Sequence, residues 1–205
     1  MPTVIQARVG REKQRYEDEF RLVAGVIPYR LKAGAEKKQT RSSLVDGLEI
    51  LMISTPKRDD LVFPKGGWEK DETVEAAACR EALEEAGVRG NIRENLGTWE
   101  FRSKSKQKCQ EGACRGYMFT LEVTEQLDLY PEQSTHHRRW VDVSEAWGLC
   151  RYEWMQEALG AFVRLQSAKP LLSHFAEIAE PSLPFCLLKT SSKAERVDSA
   201  INALC

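Results

Sequence analysis

No apolar run in this sequence approaches the roughly 20 residues needed to span a bilayer. A membrane-spanning helix is therefore not expected. The first twenty residues, MPTVIQARVGREKQRYEDEF, lack the apolar stretch of a secretory signal. They carry Arg8, Arg11, Lys13 and Arg15, but Glu12, Glu17, Asp18 and Glu19 dilute any organelle-import character. The expected location is cytoplasmic or nuclear, with mitochondrial import as the alternative. No CxxC pair occurs among Cys79, Cys109, Cys114, Cys150, Cys186 and Cys205, so reduced intracellular thiols are expected rather than a disulfide framework. Cys109 and Cys114 with His136 and His137 fit the spacing of a zinc site poorly and read as loop thiols and surface histidines. A large charge excess is also missing. The formal net charge is −1, so a polyanion can be held only by a local basic patch, and DNA is not an expected partner.

What is present suits a soluble globular domain: 205 residues, 42% hydrophobic and 30% charged. Residues 20–30 (FRLVAGVIPYR) and 47–54 (GLEILMIS) read as strands, with a lysine- and serine-rich loop at 32–46 between them. A short strand is expected at 61–63, halted by Pro64 and the Gly66–Gly67 pair. A helix follows at 74–86, then strands at 96–102, 116–124 and 138–142, and one helical stretch from about 143 to 165. Strands interspersed with helices, without strict alternation, indicate an α+β domain with a mixed sheet. The expected division is a flexible arm at 1–19, a catalytic domain at 20–166 and a loosely structured extension at 167–205, with a short helix at 193–203.

The segment GGWEKDETVEAAACREALEEAGV, starting at Gly66, carries the chemistry. Thr73 is a good helix N-cap, Glu72 and Glu75 suit the positive helix end, and Gly87 fits the left-handed position that ends a helix. At 100° per residue, Ala76, Cys79, Leu83 and Ala86 share one arc, expected to be the buried stripe. Glu81, Glu84 and Glu85 share the opposite arc at i, i+3 and i+4. Clustered carboxylates repel and invite a hard cation such as Mg²⁺ or Mn²⁺. A Glu-rich face alone is more often a solvated surface, so the whole pattern has to decide.

That pattern is Gly66, five residues, Glu72, seven residues, Arg80-Glu81, an apolar position, one residue, Glu84-Glu85, one residue, Gly87 and an aliphatic residue. It resembles the Nudix box at every fixed position, a coincidence expected on the order of once in 10⁸ chance starts. The resemblance implies an αβα sandwich with a catalytic loop–helix–loop. It also implies metal ligation by Glu81, Glu84 and Glu85 with the main-chain carbonyl near Lys65–Gly66. Glu84 or Glu81 would act as the catalytic base, and Glu72, Arg80 and Gly87 would support the motif. The implied cofactor is Mg²⁺, with Mn²⁺ as the alternative and two or more ions in the substrate complex. The implied reaction is attack of water on a phosphoanhydride.

Residues outside the box resemble the plant branch of diphosphoinositol polyphosphate phosphohydrolases, which also cleave diadenosine polyphosphates. The resemblance rests on QRYEDEFRLVAGVIPYR, LVFPKGGWE, WEFRSKS, RRW and CRYEWMQEAL, and runs from about Arg11 to Leu165. A dense anion is also suggested by the basic residues themselves: Arg21, Lys57, Arg58, Lys65, Lys104, Lys106, Arg115, Arg138 and Arg139 are the expected substrate-binding set. The expected substrate is a diphosphoinositol polyphosphate, with diadenosine penta- and hexaphosphate and inorganic polyphosphate as further substrates, handled by a monomer. The alternatives are a hydrolase of nucleotide sugars, NADH or capped RNA, and a catalytically silent polyphosphate-binding module. Charge of this kind holds polyphosphates without ranking them.

Overall fold

Eight consecutive buried residues, Leu22–Tyr29, make the strand β2 (Phe20–Leu31) the centre of the molecule. A strand covered on both faces needs no polar alternation, which is why its sequence reads as an unbroken apolar run. The computed structural model describes residues 6–33, 44–55, 58–102 and 112–168. Among these, β1 (Tyr16–Glu17), β2, β3 (Leu48–Thr55), β4 (Arg58–Val62), β5 (Lys65–Gly67), β6 (Val88–Arg102), β7 (Ala113–Gln126) and β8 (Arg138–Asp142) form one mixed sheet. The helices are α1 (Val74–Ala86), α2 (Val143–Leu149) and α3 (Glu153–Ala168). The extension from 169 onward, including the helix expected at 193–203, lies outside the described residues.

β2 runs parallel to β7 along one edge. Its other edge is shared: β5 pairs with Val23–Gly25 and β3 with Tyr29–Leu31, both antiparallel. β3 in turn pairs with β4 and β8. This arrangement sets β5, the strand leading into the box, directly beside the central strand. Helices covering the sheet complete an αβα sandwich, with a core that includes Ile27, Ile50, Leu51, Met52, Ile53, Phe63, Met155 and Phe162. Tyr29 meets Phe162 edge-on, and Phe101 stacks on Trp154, so α3 is anchored to β2 and β6 by aromatic contacts.

Local readings of the sequence differ from this structure in four places. β6 begins at Val88 rather than 96, because the turn-like ENLG stretch is absorbed as a bulge: Asn95 Oδ1 accepts from Gly97 N at 2.8 Å, and Thr120 Oγ1 accepts from Glu94 N at 2.9 Å. Gly66–Gly67 does not stop a strand but forms part of one. The helical stretch from 143 is two helices, interrupted where Arg151 turns its guanidinium onto Asp60 and, at 2.7 Å, onto Thr55 Oγ1. Residues 11–17, expected in a flexible arm, are held in register: Gln14 bridges to Glu69 and β1 pairs with β2.

Candidate active site

The site is assembled from β5, α1 and the loop between β7 and β8. Thr73 caps α1, its Oγ1 accepting from Ala76 N at 3.2 Å. At the other end Gly87 adopts φ 64°, and its N–H bonds Ala82 and Leu83 carbonyls. β5 holds Gly66 against the helix so closely that a Cβ there would collide with all three carboxylate atoms of Glu81. The glycine is thus the seat of a carboxylate.

Of the stripe expected to be buried on α1, only Ala86 is buried. Ala77, Ala78, Glu81, Ala82, Glu84 and Ala86 are buried, whereas Ala76 is exposed and Cys79 and Leu83 are only partly covered. Small alanines let the helix approach β2 and β5 closely, and the glutamates lie in that same contact. Glu81 is 7% exposed and Glu84 is 4% exposed. Glu85 accepts the Lys65 backbone N–H at 2.8 Å. A hydrophobicity wheel assigns carboxylates outward by default; here they are turned inward because they have partners there.

Arg80 is the principal partner. Its guanidinium takes Glu72 with both arms (2.7 and 3.1 Å), donates to Gly67 O at 2.8 Å, and reaches Glu81 at 2.7 Å and Glu84 at 3.3 Å. One cation therefore ties the loop to the helix and leaves the cluster with more negative than positive charge. Burial first, and then the charge of Glu85, pushes the Glu81 carboxyl up to about 8. Burial raises Glu84 and Glu85 as well. Such a donor set, all oxygen, seated on a glycine and short of countercharge, fits hard divalent cations.

The β7–β8 loop closes one side. Glu132 N donates to Glu84 O at 3.0 Å, and His136 Nδ1 lies 3.2 Å from Glu132 Oε2. Ligand atoms of Glu85, Glu132 and His136 all fall within 4.8 Å of one another. The contact with Glu132 raises the His136 pKa. The N-terminal segment closes another side. Arg8 N donates to Glu84 Oε1 at 3.2 Å, and its guanidinium pairs with Glu69 at 2.5 Å and Asp71 at 3.2 Å. Gln14 is buried against the Leu22 and Trp68 carbonyls, and Arg15 lies over the Trp68 ring. His136, read from the sequence as a surface histidine, is half-buried beside Glu85, and the places of Glu132, Arg8 and Gln14 were not read from the sequence, because each depends on a segment folding back over about 50 or more positions.

The expected substrate-binding residues are scattered. Arg21 sits beside the box, donating to Gln14 Oε1 at 2.8 Å, and Lys65 lies at Glu85. Arg138, half-buried, lies at the end of α1, donating to Ala86 O at 3.2 Å and Leu127 O at 2.6 Å with its charge over Tyr130. Arg115 pairs with Glu17 and Glu100, and Arg139 with Glu145. Lys57, Lys104 and Lys106 lie outside the described residues, as does the side chain of Arg58. Cys114, expected on a loop, is buried in β7.

An αβα sandwich whose box helix turns buried glutamates onto a glycine strand defines a class: phosphoanhydride hydrolases that act through divalent cations. Residues 41–164 match the model of the NUDIX domain. The chain is 56% identical over 168 residues to Nudix hydrolase 13, mitochondrial, of Arabidopsis thaliana, covering 80% of this chain and 83% of that protein. It is 57% identical over 167 residues to Nudix hydrolase 12, mitochondrial, of the same plant, covering 80% and 82%. A NUDIX hydrolase structure from Nitrosomonas europaea superposes with a TM-score of 0.52 at 15% identity, over 73% of this chain and 92% of that one. The chain belongs to the Nudix hydrolase family.

Proposed function

We propose that this protein hydrolyses the terminal phosphoanhydride of diphosphoinositol polyphosphates, with activity on diadenosine penta- and hexaphosphate and on inorganic polyphosphate. The observation that carries the reading is positional. Arg102 pairs with Ala113 at the connected end of the β6–β7 hairpin, and Cys114 pairs with Arg21, two residues from the Val23–Gly67 pair that leads into the box. The basic segment containing Lys104, Lys106 and Lys108 is therefore attached at the sheet end that carries the catalytic loop. Basic residues tethered to that end favour a substrate with several phosphates beyond the scissile one.

Bound divalent ions, Mg²⁺ or Mn²⁺, would neutralise the phosphate oxygens and acidify a water. The chain's own residues supply the rest. Glu81 and Glu85 face β5, beside Gly66 and Lys65, and are the ligands. Glu84 lies on the other flank against Arg8 and takes the proton of the attacking water. Arg80 and Glu72 hold the loop at a constant distance from the helix. The two Arabidopsis relatives are named as mitochondrial, and we favour that compartment over a cytoplasmic or nuclear one for this chain.

The test is a turnover panel of inositol pyrophosphates, diadenosine polyphosphates, nucleotide sugars, NADH and capped RNA, each with Mg²⁺ and Mn²⁺. Fast release of phosphate from inositol pyrophosphates, with steep competition by inositol hexakisphosphate, is expected. Preference for a nucleotide sugar, NADH or capped RNA, with indifference to that competitor, would refute the substrate assignment. Full turnover by Glu85→Gln would refute the mechanism.

A further inference from the structure

Glu132 and His136 take no part in the motif, yet they are the residues that meet Glu85. Their segment is fastened to the end of α1 by bonds independent of any side chain in the group. Leu127 N donates to Gly87 O at 2.8 Å and Glu132 N to Glu84 O at 3.0 Å, while the Arg138 guanidinium spans Ala86 O and Leu127 O. Within the loop, His136 N donates to Glu132 O at 2.9 Å and Tyr130 Oη to His136 O at 2.7 Å. The imidazole is oriented as well, with Nδ1 3.0 Å from Thr135 Oγ1 and 3.2 Å from Glu132 Oε2. Two carboxylates and one imidazole, from a helix and a pinned loop, thus converge within 4.8 Å.

We propose that Glu132 and His136 join Glu85 to form a mixed nitrogen–oxygen site for a first-row transition metal ion, so that this end of the carboxylate cluster selects Mn²⁺ over Mg²⁺. The inference rests on the metal-dependent hydrolase reading and deepens it. Mg²⁺ takes oxygen donors almost exclusively and gives up water reluctantly, so an imidazole adds little to its binding. Among first-row ions imidazole suits Fe²⁺, Ni²⁺ and Zn²⁺ best, and Mn²⁺, though it favours oxygen, accepts imidazole more readily than Mg²⁺ does. Glu81, which sits against Gly66 and Arg80 and offers only carboxylate oxygen, carries no such preference. The consequence is two unlike positions within one cluster.

The experiment uses the full chain stripped of metal with a chelator and reloaded with Mn²⁺ alone. Pulsed electron paramagnetic resonance is expected to show coupling from a directly bound imidazole nitrogen. In His136→Asn that coupling disappears and Mn²⁺ affinity falls by about tenfold or more, while Mg²⁺ affinity changes by less than about threefold. In Glu132→Gln the nitrogen coupling persists with weaker Mn²⁺ binding. His137→Asn, whose backbone N–H rather than its ring meets Ser54 Oγ, keeps both the coupling and the affinity. Absence of nitrogen coupling in the unmodified protein, or its persistence in His136→Asn, overturns the proposal. If Glu85→Gln still abolishes turnover in that case, the hydrolase reading stands and only the His136 assignment fails.

Discussion

Gly66→Ala isolates the positioning of one carboxylate. Gly66 is not among the residues with positive φ, so alanine can adopt its strand backbone. The obstacle is the Glu81 carboxylate, whose three atoms are the nearest neighbours of the added methyl and lie well inside the 3.0 Å that real Cβ atoms keep. The carboxylate must retreat by about 1 Å. It is the far end of a flexible side chain, so the fold should lose only about 1 kcal/mol of stability, the cost of a strained rotamer. A displacement of that size at the reacting centre costs about 100-fold in rate, or about 2.7 kcal/mol of barrier. The assay is phosphate release at saturating metal, read with urea unfolding on the same preparation. In a Glu81→Gln background the same substitution should cost little more, because both changes act through one group. A Gly66→Ala protein that retains kcat within about threefold, or that loses activity only by unfolding, would refute the argument.

Arg80→Ala should destabilise the protein by about 3 kcal/mol or more, because Glu72 and Glu81 would be left buried without their countercharge; urea unfolding measures it, and Arg80→Lys should recover only part, lacking the two-armed fork. Arg138→Ala should lower stability by about 2 kcal/mol through loss of charged bonds to the end of α1, with KM for polyphosphates changed by less than about threefold; a rise in KM at unchanged stability would restore the substrate-binding role. In a chelator the folded protein should lose stability as pH rises from about 5 to about 8. Glu81, at about 8, and Glu84, Glu85 and His136 are all raised in the folded state, so the native protein holds more protons than the unfolded chain across that window. A thermal unfolding midpoint that rises or stays level from pH 5 to 8 would contradict this, and added divalent metal should remove the decline.

The fold class, the strand at 20–30, both ends of α1 and the grouping of Glu81, Glu84 and Glu85 on one helix face were legible in the sequence. Each is encoded locally: an apolar run, Thr73 at a helix start, Gly87 at its end, carboxylates at i, i+3 and i+4. The direction those carboxylates face was not legible. Periodicity finds the apolar arc and sends Ala76, Cys79, Leu83 and Ala86 inward, yet apart from Ala86 the structure buries the glutamate side, where Arg80, the Lys65 N–H and the Gly66 gap await it. A buried polar face is stabilised by partners distant in sequence, and no local pattern reports them.

The box by itself placed this chain among the Nudix hydrolases and set Glu81, Glu84 and Glu85 on one helix face, because residue types at fixed spacing on a helix are a local property. Only the tertiary structure brought Glu132 and His136 to Glu85, drew Arg8 onto Glu84, and set the Arg138 guanidinium against the carbonyls at the end of α1. Those placements depend on how the β7–β8 loop and the N-terminal segment close over α1. Contacts between segments so far apart follow from the packing of the whole domain, not from the residues at either end.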